Sequence, residues 1–296
     1  MALSRVSIVS LCLIGVLSCT ARPAPSATPI ANKTAAPQPE PVQRNFDFNS
    51  LGGAVQGGVM LGQAPEGTVS VTFNGSPVPL SSDRFFLIGF DRDAENSASL
   101  VATLADGTTI DHYLPVTPGQ WKIEHVKANP TGGAKTSAEF QARRGAELAQ
   151  INAARSIKVE SIGWRQDFIW PVKGRISGVF GSQRVYNGQP GSYHSGLDIA
   201  MPTGTPYVAP ADGVVVLAAK EPFTLEGYLL IIDHGMGLNS AFLHSSELLV
   251  EKGDVVRQGQ VIGKIGATGR ASGPHLHWGM KWNAARVDPL PLLPKP

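Results

Sequence analysis

From Phe168 to the C terminus, short apolar runs alternate with glycine and proline, and this pattern restricts the fold more than any other feature of the sequence. The runs include "RISGVFG", "YLLIIDHG" and "DVVRQGQVIGKIG". No window in this part combines the length and the 3.6-residue periodicity of an amphipathic helix. We therefore predict that residues 166–296 form a domain made mostly of β-strands, with tight corners at glycine and proline.

Residues 46–127 show a second set of short strand-like runs. "TVSVTF" ends at Asn74 and Gly75, and "SASLVATLA" ends at Asp106 and Gly107, which is typical of hairpin turns. Regularly spaced strands without helices predict an immunoglobulin-like β-sandwich. Its two histidines, at positions 112 and 125, have no partner at ligand spacing, so we interpret them as ordinary sheet residues.

The segment between the two β-regions, residues 128–165, predicts a linker with a helix. Apolar residues of "SAEFQARRGAELAQINAARS", which are Phe140, Leu148 and Ile151, lie near helical spacing after Ser137. The pattern fits one connecting helix or two short helices broken at Gly145. The predicted fold class is thus mainly β: an N-terminal sandwich, a short helical connector, and a C-terminal antiparallel sheet with an open groove.

The N terminus predicts export. An apolar run from Val6 to Leu17 follows Arg5 and is too short for the roughly 20 residues of a membrane-spanning helix, so residues 1–18 fit a signal peptide. The sequence "VLSC" resembles the lipobox of bacterial lipoproteins, which implies a lipid on Cys19. The alternative is an ordinary secretory signal cut nearby. Residues 19–45, rich in Pro and Ala, predict a disordered tether.

Composition restricts the remaining function classes. The net charge is +2 with no cluster of basic residues, so we expect no nucleic-acid partner. The two cysteines are Cys12, inside the signal, and Cys19, at the lipobox. The mature chain therefore has no cysteine for a disulfide or a metal. Any metal site must use His, Asp, Glu and water.

Two pairs of residues are candidates for such a site. His275 and His277 are two apart in a strand-like run, so both point to one face, about 6.6 Å apart along the backbone. They could provide two ligands, or one ligand and one free imidazole for proton transfer, and spacing does not choose. His194 and Asp198 would be about 13 Å apart on a straight strand, so sharing a metal requires a bend at Gly196. The alternative is a turn histidine and a solvated aspartate.

Residues 170–289 contain the motifs "HSGLD", "FLH" and "GPHLH", in this order. In the order and spacing of these motifs, they resemble the lysostaphin-like zinc endopeptidases that cut bacterial cell-wall peptides. The resemblance implies one Zn²⁺ held by His194, Asp198 and His277. It also implies that His244 and His275 are free imidazoles with catalytic roles. A further histidine, His234, matches a family position that is not a ligand, so we interpret it as structural.

This resemblance implies a zinc-dependent endopeptidase that hydrolyses peptide cross-links of peptidoglycan through a metal-activated water. Its expected partners are peptidoglycan stem peptides, the membrane through the lipid on Cys19, and divisome or cell-wall synthesis proteins. The expected location is the periplasm, with lipid anchoring to the outer membrane.

Two other functions compete with this one. One is a non-catalytic cell-wall-binding regulator of an amidase, although all five His and Asp positions are occupied here. The other is a lipoyl or biotinyl carrier, suggested by "KGDVVRQGQVIGKI", which lacks an evident lysine hairpin. The sandwich could dock a partner, hold glycan strands or cover the groove, and the sequence does not choose.

Overall fold

Strand pairing organises nearly all of the chain in the computed structural model, which describes residues 45–49, 53–128 and 137–295. These residues belong to one compact unit, Val42–Pro296. The predicted signal peptide, the lipid site at Cys19 and the tether up to residue 44 lie outside the described residues. Helices in the described part include none with the length and apolar character of a membrane span.

The first region is a two-sheet sandwich. Its strands, together with one that follows them, are β1 Asp47–Asn49, β2 Val59–Gln63, β3 Thr68–Phe73, β4 Ser76–Val78, β5 Phe85–Gly89, β6 Ser97–Leu104, β7 Thr109–Pro115 and β8 Ile123–Val126. One sheet has the order β1-β2-β5 and the other β4-β3-β6-β7, all antiparallel. This division matches an immunoglobulin-like sandwich. Phe86 and Leu100, both fully buried, lie in the two sheets.

The strand β8 is not part of either sheet of the sandwich. Although the sequence places it with the sandwich strands, it pairs in parallel with a strand of the second region, Gln183–Tyr186. Further contacts join the two regions. The ring of Phe73 packs edge-on against Trp282 at 5.8 Å, and a Cβ on Gly89 would lie only 2.8 Å from Trp282 Cβ. The two regions therefore share one continuous apolar core.

A single helix, α1 Ala138–Ser156, joins the two regions. It begins where the Ser137 hydroxyl accepts a hydrogen bond from the Phe140 backbone, and it continues through Gly145 without a break. Its buried stripe is Glu147, Ile151 and Ala154, whereas Leu148 is 42% exposed. Of the apolar residues at helical spacing, Ile151 lies on the buried face and Leu148 does not, and the carboxylate of Glu147 shares that face.

The second region is built around an eight-stranded antiparallel sheet. Its strands and those of two small flanking sheets are β9 Arg175–Gly178, β10 Gln183–Tyr186, β11 Gln189–Pro190, β12 Leu197–Ala200, β13 Pro206–Val208, β14 Gly213–Ala218, β15 Tyr228–Asp233, β16 Leu238–Ser245, β17 Glu247–Leu248, β18 Val255–Val256, β19 Val261–Lys264, β20 Leu276–Trp282 and β21 Ala285–Val287. Two short 3₁₀ helices, Gly163–Arg165 and Leu290–Leu292, complete the elements.

The main sheet has the order β18-β14-β15-β16-β20-β12-β9, with β21 on the edge of β20. One face carries the large core residues, including Leu197, Phe242 and Trp278, all fully buried. The opposite face is covered in part by α1, whose Ile151 and Ala154 join a cluster that contains Ile231 and Ala241. The prediction of a mainly β fold with an antiparallel C-terminal sheet is confirmed.

The buried carboxylate of Glu147 fixes α1 on the sheet. It accepts hydrogen bonds from the Thr224 backbone N–H and hydroxyl at 2.7 and 2.5 Å, and it forms ion pairs with Arg143 and Arg144. We predict that Glu147→Ala lowers the free energy of unfolding by about 3 kcal/mol, because it leaves the N–H and the hydroxyl of Thr224 without their buried acceptor and removes one of the two carboxylates that Arg144 binds. Urea denaturation measures this change. Glu139→Ala, at an exposed position of the same helix, is the control and should cost less than about 1 kcal/mol; equal losses would contradict the assignment.

Candidate metal centre

The register between two central strands sets the geometry of the site. β12 and β20 pair antiparallel with Asp198 opposite His277, and β16 places Leu243 on the other side of His277. Side chains directly opposite each other on antiparallel strands point to the same face. Accordingly, His277 Nδ1 lies 2.8 Å from Asp198 Oδ1.

The third residue, His194, comes from the segment just before β12. The chain bends at Gly196, and the bend brings the imidazole of His194 back towards Asp198. His194 Nε2 therefore lies 3.0 Å from Asp198 Oδ1 and 3.2 Å from His277 Nδ1. A Cβ on Gly196 would lie 2.5 Å from the Trp278 carbonyl oxygen and 2.8 Å from His277 Nε2. Only glycine allows the chain to pass so close to β20.

These three donor atoms fit a tetrahedral zinc ion. With bonds of about 2.0–2.1 Å, such an ion separates its ligand atoms by about 3.3 Å, close to the 2.8–3.2 Å found here. Two imidazoles and one carboxylate are also among the ligands that zinc prefers. Within the described part of the chain, His194, Asp198 and His277 are the one group of His, Cys, Asp or Glu side chains close enough together to share a metal.

The charge state of the cluster suits a cation. Burial would raise the pKa of the Asp198 carboxyl, but hydrogen bonds from His194 and His277 outweigh burial and hold this pKa well below its usual range. Burial lowers the pKa of His277, which favours the neutral imidazole that a metal requires. Burial would lower the pKa of His194, but its hydrogen bond to Asp198 outweighs burial and raises this pKa, so a metal displaces a proton there. At neutral pH the site offers one carboxylate and one neutral imidazole, that of His277.

Backbone carbonyls orient the imidazoles around the cluster. His194 Nδ1 donates to the Val179 carbonyl at 3.0 Å, and His244 Nδ1 donates to that of Thr268 at 2.8 Å. His275 Nδ1 donates in the same way to Gly273 at 2.8 Å. Because a carbonyl only accepts, these bonds place a proton on Nδ1, so that in the neutral imidazole Nε2 carries the lone pair.

His275 and His244 lie beside the three-residue cluster. His275 immediately precedes β20, and its Nε2 lies 3.7 Å from Asp198 Oδ1. The ring of His244 lies 4.9 Å from that of His275 and 6.2 Å from that of His277, between centroids. His244 has φ 65°, a left-handed conformation that costs a non-glycine residue about 1–2 kcal/mol and is concentrated at functional sites. The structure therefore brings all five sequence-predicted residues together.

The remaining histidines lie elsewhere. His234 is fully buried in the core, where its Nδ1 donates to the Asp212 carbonyl at 2.7 Å and its Nε2 accepts from the Ser240 hydroxyl at 2.8 Å. His112 packs against Phe48 in the sandwich, with ring centroids 5.1 Å apart, and His125 is exposed on β8.

The sequence analysis did not anticipate two features of the site. A Cβ on Gly178 would lie 2.5 Å from Asp198 Oδ2, so this glycine makes room for the carboxylate. The three carbonyls that orient the imidazoles were also missed, because backbone atoms leave no residue-type signal. The glycine of "HSGLD" was the one visible sign of the close approach to β20.

Comparisons with known proteins agree with this geometry. The profile described as Peptidase family M23 matches residues 192–289, which contain all five site residues. A crystal structure from Pseudomonas aeruginosa, described as a peptidase M23, superposes with a TM-score of 0.62 and 30% sequence identity, over 81% of this chain and 94% of that one. The chain belongs to peptidase family M23.

Curated relatives match about a third of the chain. Peptidoglycan DD-endopeptidase ShyA of Vibrio cholerae is 43% identical over 107 residues, 36% of this chain and 24% of the relative. Peptidoglycan DD-endopeptidase ShyB of the same species is 42% identical over 97 residues, 33% of this chain and 22% of the relative. The chain thus spans about a quarter of the length of these curated relatives.

Because His234 is buried, we expect the free energy of unfolding of this M23 fold to depend on pH. Burial lowers its pKa from about 6.5 to about 4, so the unfolded chain binds the proton more tightly than the folded chain. The contribution to the free energy of unfolding is present above pH 6.5 and is lost as the pH falls towards 4, by up to about 3 kcal/mol.

We predict that His234→Gln, whose amide can both donate and accept, destabilises the metal-free protein at pH 7 but much less at pH 4.5. Urea denaturation of both proteins at the two pH values gives the difference, in which the other titrating groups cancel. A difference between the two proteins that does not change with pH would contradict the assignment.

Proposed function

We propose that the chain is a zinc-dependent endopeptidase that hydrolyses peptide cross-links of peptidoglycan. The observation that carries this proposal is the convergence of His194 Nε2, Asp198 Oδ1 and His277 Nδ1 within 3.2 Å of one another, with two further imidazoles beside them. The names of the relatives, peptidoglycan DD-endopeptidases, support the substrate class.

His194, Asp198 and His277 would hold a single zinc ion. When bound, zinc supplies Lewis acidity, which makes water nucleophilic near neutral pH and polarises the scissile carbonyl. One carboxylate among three protein ligands leaves the site with a net positive charge, which favours that chemistry. The carbonyl of Val179 keeps His194 in the tautomer that presents Nε2.

His275 and His244 would move the protons of the reaction. Each has its Nδ1–H held by a backbone carbonyl and its Nε2 free to accept. One Nε2 accepts a proton from the attacking water and then donates it to the nitrogen of the leaving amine, so the amide C–N bond breaks with the proton balance closed. The other stabilises the oxyanion when its Nε2 is protonated and donates a hydrogen bond. No glutamate takes part in this scheme.

The surface around the site suits an extended peptide. His277 and Gly279 lie on the same face of β20. Their partners on β16 are Leu243 and Ala241. Helix α1 borders this face on one side. A peptide can therefore lie along an open groove, as a polymeric substrate requires.

We also propose that the chain works outside the cytoplasm, in the periplasm, anchored to the outer membrane by a lipid on Cys19 and held at a distance by residues 19–45. The support is the sequence of the N terminus together with the location of peptidoglycan. Divisome or cell-wall synthesis proteins are the expected macromolecular partners.

The proposal predicts different losses for the two groups of residues. His194→Ala, Asp198→Ala and His277→Ala should reduce bound zinc from one ion per chain to almost none and abolish cleavage. His244→Ala and His275→Ala should keep the zinc but slow cleavage at least about 100-fold, because they remove proton transfer alone. Elemental analysis measures zinc, and chromatography of muropeptides released from purified peptidoglycan measures cleavage.

As a matched control, His125→Ala removes an exposed histidine of β8 and should leave both quantities unchanged. Full cleavage by the His277→Ala protein would contradict the ligand assignment. A zinc-loaded, folded chain that releases no cross-linked fragment but activates an amidase would instead favour the regulatory function.

A further inference from the structure

Three basic side chains converge at the end of the groove away from His194. Arg155 comes from α1, Lys281 from β20 and Arg286 from β21, and all three line one cavity. Lys281 and Arg286 are direct partners in the antiparallel register, so their side chains leave the same face. Like charges directly opposite each other destabilise a sheet, and here a third cation faces them from the helix.

No carboxylate within the described residues neutralises these cations with an ion pair. Glu226 is the one acidic residue that lines the cavity, and Arg144 binds both of its oxygens, at 2.6 and 2.8 Å. Asp91 Oδ2 accepts from the Arg286 backbone N–H at 2.8 Å rather than from a side chain.

Hydrogen bonding is incomplete in the same place. Among the described residues, the Nε of Arg155 is buried and has no hydrogen-bond partner. Arg286 Nη1 lies 3.4 Å from the Tyr193 hydroxyl. Buried donors of charged groups are normally paired, so an orphaned guanidinium nitrogen marks a place where an acceptor is missing.

The pKa values of these groups reflect burial and mutual repulsion, which outweigh the opposing effects of Glu226 on Arg155 and of Asp91 on Lys281. Burial, with a contribution from Arg286, lowers the pKa of Arg155 to about 10. Burial, followed by Arg155 and Arg286, lowers the pKa of Lys281 to about 8. An anion placed among the three would relieve both the desolvation and the mutual repulsion.

The cavity extends to one residue of the candidate metal centre, His277. It has a volume of about 250 Å³, lies between α1 and the sheet, and is also lined by Ser195 and Gly279. Three residues of β20 separate His277 from Lys281, and the four steps between them span about 13 Å along the strand. Gly279 lies between them without a side chain, and a Cβ there would lie 3.3 Å from the Ser195 carbonyl oxygen.

We propose that this cavity binds a free carboxylate of the stem peptide whose cross-link is cut, with Arg155, Lys281 and Arg286 as the binding residues. The inference rests on the proposed function for the identity of the peptide. Arginine and lysine bind carboxylates through short, charge-assisted hydrogen bonds. The 13 Å separation places that carboxylate up to about four residues from the scissile bond, within one stem peptide. The site thus selects acidic peptides and positions them relative to His277.

Binding to the full mature chain without metal tests this proposal, because no hydrolysis occurs and the result does not depend on catalysis. The probes are a tetrapeptide stem, L-Ala, D-Glu, diaminopimelate and D-Ala, with free carboxyl groups, and the same peptide with its carboxyl groups amidated. Isothermal titration calorimetry should show that the acidic peptide binds at least about tenfold more tightly.

The variants Lys281→Met and Arg155→Met should lose this preference about tenfold while their melting temperatures stay equal or rise, since each removes a repelling charge. Lys252→Met, at an exposed turn, removes the same formal charge elsewhere and should keep the full preference. If Arg155→Met fails to fold, Lys281→Met and Arg286→Gln give the same comparison.

Equal binding of the two peptides by the unchanged protein would overturn the proposal, as would a preference that survives in the variants. Tighter binding of inorganic phosphate than of the acidic peptide would also overturn it, by assigning the cavity to a phosphate group. A carboxylate preference in a zinc-loaded protein that cuts no cross-link would reject the proposed function and keep the binding site.

Discussion

The strand register that sets Asp198 opposite His277 is the constraint on which the rest of the site depends. Because side chains on a strand alternate between faces, a shift of one residue would turn His277 into the core and Trp278 towards solvent. The burial of Trp278, Leu197 and Phe242 on the opposite face opposes such a shift. The apolar core therefore specifies the position of the donor atoms, although it contains none of them.

On the core face of the sheet, a buried polar network adds to this constraint. Trp278 Nε1 donates to the Ser240 hydroxyl at 3.0 Å, which in turn donates to His234 Nε2, and His234 Nδ1 donates to the Asp212 carbonyl. Every member has a partner, so the network fixes β20 against β16 without leaving an unsatisfied group. On the other face, α1 narrows the groove and brings Arg155 towards Lys281, where the unpaired positive charge suits an acidic substrate.

Sequence patterns predicted the site better than its surroundings. Histidine spacing together with the family resemblance named the five side chains that the structure brings together, since their residue types are chemically distinctive. The pairing of β8 with β10 was not predicted, because parallel pairing between distant segments leaves no local pattern. The burial of Glu147 on α1 was not predicted, because a charged residue is normally exposed and hydrogen bonds from Thr224 compensate its burial here. The close approach at Gly196 depends on tertiary contacts with Trp278 that no local pattern encodes.

X-ray absorption spectroscopy of the zinc-loaded protein tests the central claim most directly. The account predicts one zinc ion with two imidazole nitrogens and two oxygens, all at about 2.0–2.1 Å, one oxygen from Asp198 and one from solvent. The same spectrum should persist in the His275→Ala and His244→Ala proteins. A first coordination sphere with three or more imidazoles, or a spectrum that changes when His275 is removed, would contradict the assignment of His194, Asp198 and His277 as the complete set of protein ligands.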